Sequence, residues 1–515
     1  MKKIYRYKWR ILGILVIGFL VWMFWPAQFT RTISYETTRI TTPVDDQGFL
    51  DYETPLNEMV KGDIKPEENA MVLLVQAIGP KPEGTKMPPE YYSWLEIEEP
   101  KENGNILAQF SMPNLENPNQ NLNSLPDECG QPWAAEVYPE VAEYLKANQA
   151  PLRIVEEGIR RPRYFGPLVA RKVPGKRSLL FSTLLPFTQR LRSVAFILKV
   201  RAMNAIFESR FEDAWKDIYS IHRLGRLLQS NPSCLIEQLV GIAIEHIAFE
   251  SYQILLTYTT WNSDEIRAKL QLFKQLPVAV SLAVPVDRFE RMAALDSVQD
   301  FYLTGEFNSA MWRSHVLTMF HRILSRSIDF DVMLRRINTT YDRIIDAMQI
   351  TNYASRQKIL ADISLELTFR QYDSVESFFF GKKKRAEIIS DILLNLMLPA
   401  CEKVDNACHR CRMQSGNIEI AFSLAEYRAR AGNYPDKLEA LKLPAAMLVD
   451  GYNGKQLHYE RWREGYILCS LGVNEEFRRM LELELEEPNQ NVLNTEMKTF
   501  RSTLIRLPWQ APRFE

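Results

Sequence analysis

Three cysteines and a histidine lie close together in the last quarter of the chain, and thiolate and imidazole are side chains that zinc prefers. They are Cys401, Cys408, His409 and Cys411. A strong zinc motif carries a second ligand pair at a matching spacing, whereas only one C-x-x-C pair is present here. On a helix the three cysteines share one face, which is equally the pattern of a buried stripe. Packing, a disulfide or redox pair, and a metal site are the three interpretations, and we adopt packing.

An apolar helix predicted over 235–258 carries carboxylates and an imidazole, the ligand types of a carboxylate-bridged metal pair. The residues are Glu237, Glu245, His246 and Glu250. Di-iron bundles use Glu-x-x-His pairs at i, i+3 on separate helices, but Glu245 and His246 are adjacent and point about 100° apart. His315 and His321 lie six residues apart without an H-E-x-x-H motif. Both sets are therefore predicted to be structural.

Two groups of polar residues are candidates for ligand binding. The first is the arginine run Arg160-Arg161-Pro162-Arg163-Tyr164-Phe165, because guanidinium forks match carboxylate and phosphate geometry. It could instead pair with acids on neighbouring helices, or contact a protein partner. The second is the polar turn Asn338, Tyr341, Asp342 and Arg343, which could line a cleft or form hydrogen bonds between helices. The structural role is adopted for both groups, and Arg160, Arg161, Arg163, Asn338, Asp342 and Arg343 are the ligand-binding candidates. The chain has no G-x-S-x-G, P-loop or G-x-G-x-x-G motif, so the sequence names no catalytic residue and no cofactor.

Composition and charge exclude several classes of protein. The chain has 515 residues, 46% hydrophobic and 25% charged, which is ordinary globular composition. Its 63 basic and 64 acidic residues argue against a surface that grips nucleic acid. The first ten residues hold five basic side chains and no acid, so the other 505 carry 58 basic and 64 acidic residues. Only 21 glycines favour a mainly helical fold, and six scattered cysteines are not a disulfide framework.

The N-terminal segment predicts a membrane anchor. Residues 11–25 carry no charge, and Trp9, Trp22 and Trp25 flank them as aromatic residues flank bilayer spans. A helix of this length covers about 22 Å, so residues through 29 help to cover a hydrocarbon core of about 30 Å. A cleaved signal peptide and a buried core helix are the alternatives, but no small-x-small cleavage site follows the segment. The basic flank should stay in the cytoplasm, which places residues 30–515 outside a single-pass inner membrane protein. No later stretch is predicted to span, the most apolar being 388–400.

The chain divides into six predicted segments. They are a basic flank (1–10), a transmembrane signal anchor (11–29), a proline-rich extended region with short helices (30–180), a helical body (181–380), a long helix with an α+β module (386–474), and a tail (475–515). In the second region the clearest helix is predicted over 68–79.

Further helices are expected over 136–148 and 152–160. In the body, helices over 191–207 and 211–228 resemble a tetratricopeptide hairpin with small Ala202 and Ala214 at the close approach. Helices follow over 235–258, 263–276 with Ser263 as N-cap, 288–303, 311–325, 331–348 and 355–370. Residues 381–385 are predicted as a basic loop, and 386–431 as a helix interrupted at Pro399. Strands over 456–461 and 465–471 form a β-hairpin.

Two resemblances accompany these patterns. Residues 418–474 contain YRARAGNYP, then DGYNG, then a strand leading to SLGVN, and they resemble the globular part of type II secretion major pseudopilins. The resemblance implies packing with other chains. The calcium-binding tail of those proteins is replaced here by Glu475-Glu476-Phe477-Arg478. Asp450, Asn453, Asn474, Glu475 and Glu476 still offer oxygen ligands, but no calcium site is predicted.

The wider chain, residues 65–474, is similar to a family of uncharacterised, membrane-anchored bacterial envelope proteins. The similarity depends on PWAAEVYPEVAEYLKAN, RRPRYFGPL, RFEDAWKDIYSIHRLGRLL, ERMAALDSVQ and DFDVMLRRINTTYDR. The resulting hypothesis is an envelope scaffold that binds other proteins and is anchored through residues 11–29. The alternatives are an envelope hydrolase with a cleft near Arg160, Arg163, Asn338 and Asp342, and an accessory component of a secretion pseudopilus.

Overall fold

The computed structural model describes residues 32–45, 48–108, 110, 125–172, 177–304, 328–372, 381–462, 465–470 and 505–507, together with residues 13, 14, 17 and 18. Within these ranges the protein is mainly helical, as predicted, with two small antiparallel sheets. The helices of the first half are α1 (Glu53–Lys61), α2 (Ala70–Ile78), α3 (Pro89–Leu95), α4 (Pro139–Ala147), α5 (Gln149–Arg160), α6 (Pro186–Phe207) and α7 (Phe211–Ser230). Those of the second half are α8 (Leu235–Tyr258), α9 (Ser263–Phe273), α10 (Arg291–Thr304), α11 (Phe330–Met348), α12 (Tyr353–Tyr372) and α13 (Lys382–Ala431). The helix predicted over 311–325 lies outside the described residues.

The region before residue 180 is more helical than the sequence indicates. Besides the expected helices α2, α4 and α5, it contains α1 and α3. Asn69 begins α2 by accepting a hydrogen bond from Met71 N at 3.0 Å, and its Nδ2 donates to the carbonyl of Phe165 at 3.0 Å. The prolines that suggested extended chain partly start helices, because Pro89 lies at the first position of α3, where its missing N–H costs nothing.

Helices α7 and α8 form the closest packed pair of the body. Each has a glycine at the crossing, and a Cβ at Gly225 would lie 2.8 Å from the carbonyl oxygen of Gly241. A Cβ at Gly241 would in turn lie 2.9 Å from the Gly225 carbonyl. The glycines therefore let two backbones touch. Trp215 of α7 then packs its ring against Tyr252 of α8 with 5.5 Å between centroids.

Helix α9 has a different cap from the one predicted. Asn262, not Ser263, is the N-cap, accepting from the backbone N–H of Glu265 while the Glu265 carboxylate accepts from Asn262 N. This is a complete capping box. Ser263 instead donates its hydroxyl to Glu426 of α13 at 2.7 Å.

Helix α13 corrects two predictions. It begins at Lys382, so the predicted basic loop is its first turn, and it continues through Pro399 without interruption for 50 residues. At about 1.5 Å per residue it is about 75 Å long. Leu398 and Cys401 on either side of the proline are buried. Packing against α8, α11 and α12 therefore compensates for the missing backbone hydrogen bond.

The C-terminal sheet has one strand more than the sequence indicates. β1 (Val169–Ala170) and β2 (Thr183–Leu184) form a two-stranded sheet, and β3 (His458–Trp462) and β4 (Gly465–Cys469) form the predicted hairpin. β5 (Ile505–Leu507) pairs antiparallel with β4, with Ile505 opposite Leu468. Ile505 is fully buried, so part of the predicted tail belongs to the module.

Among the described residues, one helix is long and apolar enough to cross a membrane, namely α8. By sequence, the most apolar later stretch is instead 388–400. Because 72% of the apolar window of α8 is buried inside the protein, α8 has the burial of a core helix.

Candidate functional site

A short segment that follows the predicted anchor is held along one face of α11. Thr32 donates from its backbone N–H and its hydroxyl to the carboxylate of Asp331, at 3.0 and 2.7 Å. Asn338, two turns further along, donates to the carbonyls of Glu36 and Thr37 at 2.9 Å each. Positions 331 and 338 share a helix face. Residues 32–39, which we name the base segment, therefore run beside α11.

The base segment also has a fixed internal shape. Thr38 N donates to the carbonyl of Ser34 at 2.8 Å, and the Thr38 hydroxyl bonds the same carbonyl at 2.9 Å. Thr37 and Thr38 are completely buried. Tyr52 donates its hydroxyl to the Thr38 carbonyl at 2.9 Å. The chain entering the body is therefore part of the core.

The far end of the base segment reaches a group of charges around Asp342. Arg291 of α10 is fully buried, donates to Asp342 Oδ1 at 2.7 Å and pairs with Asp287 at 3.0 Å. Arg39 lies 3.8 Å from both Asp287 and Asp342. The two carboxylates thus neutralise two arginines, one from the base segment and one from the body. Arg343 takes no part in this group and pairs with Glu366 at 2.7 Å.

The polar turn therefore does not face an open cleft. Asn338 contacts the base segment, and the Tyr341 hydroxyl donates to the carbonyl of Glu290 at 3.2 Å. Residues 36, 37 and 39 of the chain itself thus lie against this turn. Tyr341 and Asp342 join α11 to residues 290 and 291, while Asn338 bonds the base segment.

The side chains of the arginine run bind residues 63–69 and Glu156, which belong to the same predicted region as the run. Arg161 donates to the carbonyls of Pro66 and Asn69, at 2.7 and 2.9 Å. Arg163 pairs with Asp63 at 2.6 Å and with Glu68 at 3.6 Å. Arg160 is mostly exposed and lies 3.8 Å from Glu156. These partners are acids and backbone carbonyls, and none of them is also a partner of Asn338 or Asp342.

An open cleft of about 410 Å³ lies beside the arginine run. Its lining comprises Glu58, Lys61, Gly62, Asp63, Ile64, Lys65, Pro66, Trp94 and Glu96. Lys61 pairs with Glu96, and Asp63 pairs with Arg163. Most charged side chains that line the cleft are thus already in ion pairs. The lining offers no thiol, hydroxyl or imidazole that could serve as a nucleophile.

The three clustered cysteines are buried free thiols. Burial raises the pKa of Cys401 to about 12 and that of Cys408 to about 11, so neither is a thiolate near neutral pH. Cys411 donates to Glu245 Oε2 at 2.7 Å. Within the part of the chain that the structure describes, no three Cys, His, Asp or Glu side chains are grouped to hold a metal ion. The arrangement corresponds to packing, the interpretation adopted from the sequence.

Glu245 is the centre of a buried ionic network that the sequence does not reveal. It forms an ion pair with Arg226 and accepts a hydrogen bond from Cys411, and His222 Nε2 lies 3.2 Å from its Oε1. Burial acts to raise the pKa of Glu245, but the His222 hydrogen bond and the Arg226 charge outweigh it and hold the pKa at about 2. Burial lowers the pKa of His222. The sequence signal would have been His222 and Arg226 at i, i+4 on an otherwise apolar face.

The other acids of α8 also have structural partners. Glu237 accepts from the Tyr164 hydroxyl at 2.5 Å and from Ser233 N at 2.6 Å. Burial raises its pKa to about 7. Glu250 pairs with Lys199 at 2.9 Å, and burial lowers the pKa of His246 to about 4. His315 and His321 lie outside the described residues.

The oxygen ligands proposed for the C-terminal module are used within a turn. Asp450 Oδ1 accepts from Tyr452 N at 2.9 Å and Oδ2 accepts from Asn453 Nδ2 at 3.0 Å. Its carboxylate is thereby the cap of the loop that leads into β3. Asn474, Glu475 and Glu476 lie outside the described residues.

Comparison with known proteins does not assign a function to these residues. No protein-family model, no curated protein and no solved structure matches the chain. Function is therefore argued from the arrangement of its own residues.

Proposed function

We propose that the chain is a single-pass, membrane-anchored envelope protein whose extracytoplasmic helical body is a scaffold for other envelope proteins. The observation that carries the proposal is the base segment, residues 32–39, which begins three residues after the predicted anchor and is bound along α11. A catalytic domain on a tether would not need such a rigid connection. A scaffold that must present a surface at a fixed angle to the membrane does.

The described part of the anchor supports the membrane assignment. Residues 13, 14, 17 and 18 are helical, and Ile14 and Ile17 are 69% and 62% exposed. A Cβ added at Gly13 or Gly18 would meet no atom within 4 Å. Exposed isoleucines on a helix without protein neighbours suit a lipid environment.

The interaction role draws support from the way the polar candidates are used. Asn338, Asp342, Arg161 and Arg163 all bind other parts of the same chain. The C-terminal module, a helix end followed by the antiparallel sheet β3–β4–β5, is the part for which we propose kinship with pseudopilins. Similarly, we propose that α6 and α7 form a tetratricopeptide-like hairpin, in which Ala202 and Ala214 are fully buried. Both module types serve protein contacts in the proteins that they resemble. Membership of a secretion pseudopilus stays a prediction.

The membrane topology and the binding of the base segment to α11 are tested together on the full chain. A reporter enzyme fused after Glu515 should be active only outside the cytoplasm, and the protein should remain with membranes after alkaline washing. The double substitution Asn338→Ala/Asp342→Ala should increase proteolytic cleavage around residues 32–45, because the base segment loses two of its partners on α11. Thr339→Ala is the matched control, since its exposed hydroxyl bonds only its own helix, at Arg335 O. A reporter active in the cytoplasm would overturn the proposed orientation.

The scaffold role is tested by crosslinking in intact membranes followed by purification of the chain. A discrete partner should be recovered in stoichiometric amount, and it should be lost when the C-terminal module is altered at exposed Val449→Asp. Recovery of substrate-derived adducts instead of a partner would favour the hydrolase.

A further inference from the structure

One face of α8 is turned away from the helices that pack around it. On the inner side, Gly241 packs against α7, and Gln238 Nε2 lies 3.8 Å from Cys408 Sγ of α13. On the outer side, Ile236 is 50% exposed and Leu239 is 38% exposed. Among the described helices α8 is the one long and apolar enough to cross a membrane, and its apolar character continues onto this outer surface.

The outer residues of α8 repeat at the spacing with which one helix packs along another. Ile236, Leu239, Ala243, His246 and Glu250 follow one another at intervals of three, four, three and four residues. All five are exposed or half-buried. This is the a/d repeat of paired helices, and the small side chain at its middle would let a partner's backbone approach closely. The face is about 21 Å long, which is about four helical turns.

Polar atoms without partners lie beside this face. Nε2 of His246, Nε of Arg410 and Oε1 of Gln414 are buried and have no hydrogen-bond partner among the described residues. Burial, and then the positive charge of Arg410, lower the pKa of His246 to about 4, so the two side chains are close and the imidazole is neutral near pH 7. Gln414 lies one turn after Arg410, on the same side of α13. The apolar stretch of α8 therefore ends beside polar groups that need a partner.

Arg410 also lacks an acid of its own. Among the described residues no ion pair includes it, and the three acids within five residues of His246 or Arg410 are each paired with another cation. Those pairs are Glu245–Arg226, Glu250–Lys199 and Asp405–Arg356. Glu402, the next acid back along α13, lies eight residues or about 12 Å before Arg410. A carboxylate would supply both the negative charge and the acceptor that Arg410 Nε–H needs, and neutral His246 can donate to it from Nε2.

We infer that the outer face of α8 is a docking site for an amphipathic helix of another protein. The partner helix packs apolar side chains on Ile236, Leu239 and Ala243. It places an Asp or Glu carboxylate against Arg410 and His246. Apolar anchors at helical spacing supply the contact area, and the one charged contact fixes the register of the partner. The site lies on the helical body and not on the C-terminal module, and it does not depend on the membrane anchor.

The test places a photoreactive benzophenone amino acid at Ile236 of the full chain in its native cells, and it identifies the crosslinked peptide by mass spectrometry. Leu365 of α12 is the control position, because it is also an exposed leucine-type side chain on a helix, at 54%. Position 236 should give one discrete adduct, at least about fivefold above the yield at 365. The crosslinked peptide should come from another protein, with apolar residues at helical spacing and an acidic residue beside them.

The charged contact is then measured with that segment as a synthetic fluorescent peptide and the full chain in lipid nanodiscs. Arg410→Gln should weaken binding about tenfold or more, because it leaves the partner's carboxylate unpaired. Arg412→Gln is the matched control, since Arg412 is exposed and lies two residues further on, on a different side of α13. Arg410→Glu should bind a peptide whose acid is replaced by lysine. Leu239→Asp, at an exposed position that does not affect the core, should abolish binding of both peptides.

The outcomes separate this inference from the scaffold proposal. Adducts of position 236 with the chain's own residues or with a second copy overturn the inference, as do equal adducts at 236 and 365. A peptide that binds Arg410→Gln as well as it binds the parent overturns the carboxylate contact. A partner that depends on Val449 but gives no adduct at 236 supports the scaffold and overturns the docking site on α8.

Discussion

Replacing Arg226 by methionine should destabilise the protein by about 3–5 kcal/mol at pH 7, the usual cost of removing one partner of a buried ion pair. Glu245 is 1% exposed, and Arg226 is the arginine that balances its charge. Methionine keeps the apolar volume of the side chain while removing the cation. The Glu245 carboxylate would then be buried with only His222 and Cys411 beside it.

The pH dependence of this cost follows from the pKa of Glu245. Its pKa is about 2 in the folded protein against an ordinary value of 4.5, so the folded state gains about 3 kcal/mol, at 1.36 kcal/mol per unit. Because the folded pKa is lowered, this stability is present above pH 4.5 and is lost as the pH falls towards 2. In Arg226→Met, burial would raise the pKa instead. Glu245 would therefore take up a proton in mild acid, and the cost of the substitution should shrink from pH 7 to pH 5.

Urea unfolding of the detergent-solubilised full chain, followed by tryptophan fluorescence, measures both effects. Trp215 reports on this region because its ring lies 5.5 Å from Tyr252 on the same helix as Glu245. The matched control is Arg267→Met, because the pair between Arg267 and Glu426 is half-exposed at the arginine and should be worth no more than about 1 kcal/mol. Equal losses for the two variants, or a loss for Arg226→Met that does not change between pH 7 and 5, would refute the reasoning.

Two further predictions concern α7, α8 and α13. Gly225→Ala should destabilise the protein by about 1–3 kcal/mol, because the new Cβ would lie 2.7 Å from Glu245 Cγ. Gly416→Ala should instead stabilise α13 by about 0.5–1 kcal/mol, because a Cβ there would meet no atom within 4 Å. The urea midpoint should therefore fall for the first variant and rise for the second. Glu237→Gln should be more stable than the parent by up to about 3 kcal/mol at pH 8 and equal to it near pH 4, because the raised folded pKa of about 7 makes stability fall as the pH rises from 4.5 through 7. Exposed Glu157→Gln is its control in the same titration of stability, and a Glu237→Gln protein with no pH-dependent advantage would contradict the assignment.

The helical body could be predicted from sequence where apolar spacing and end signals agree. Helix α8 has the bounds expected from its apolar run, and α11 begins one residue before its predicted start. These helices bury a continuous face, so local pattern and tertiary packing demand the same structure.

Prediction failed where tertiary contacts override local preference. Pro399 indicates a helix break, since proline in a helix interior costs about 3 kcal/mol. Helix α13 nevertheless continues, because Leu398 and Cys401 on either side of the proline are buried and the helix packs against other helices of the body. Likewise the run 381–385 looks like a solvated loop, yet a carbonyl of its first helical turn, that of Lys382, accepts from Asp329. Neither the burial around Pro399 nor the hydrogen bond to Lys382 can be inferred from the neighbouring residues in the sequence.

The roles of the candidate site residues could not be predicted for a related reason. The sequence supplies an amide at Asn338 but not its partners, the carbonyls of residues about 300 positions earlier. Spacing on α11 correctly placed Asn338 and Asp342 on one side of the helix. It could not tell a substrate from the chain's own base segment, because both would present hydrogen-bond acceptors and charge.

Under the proposed function, the bound base segment sets the orientation of the body relative to the membrane. Helix α13 starts beside Asp329 at the membrane end and ends at Ala431, about 75 Å further along, where the C-terminal module begins. Because the base segment is bound to α11, it would fix the direction of α13 relative to the membrane. The C-terminal module would then lie at a defined distance from the bilayer and in a defined orientation. A flexible insert of about ten Gly and Ser residues between positions 29 and 32 would leave the body folded, since no contact of the base segment is removed. It should nevertheless weaken capture of a membrane-bound partner by the module, because the chain then samples many orientations and the effective concentration falls. Equal crosslinking yields with and without the insert would show that orientation does not matter and that the base segment serves stability alone.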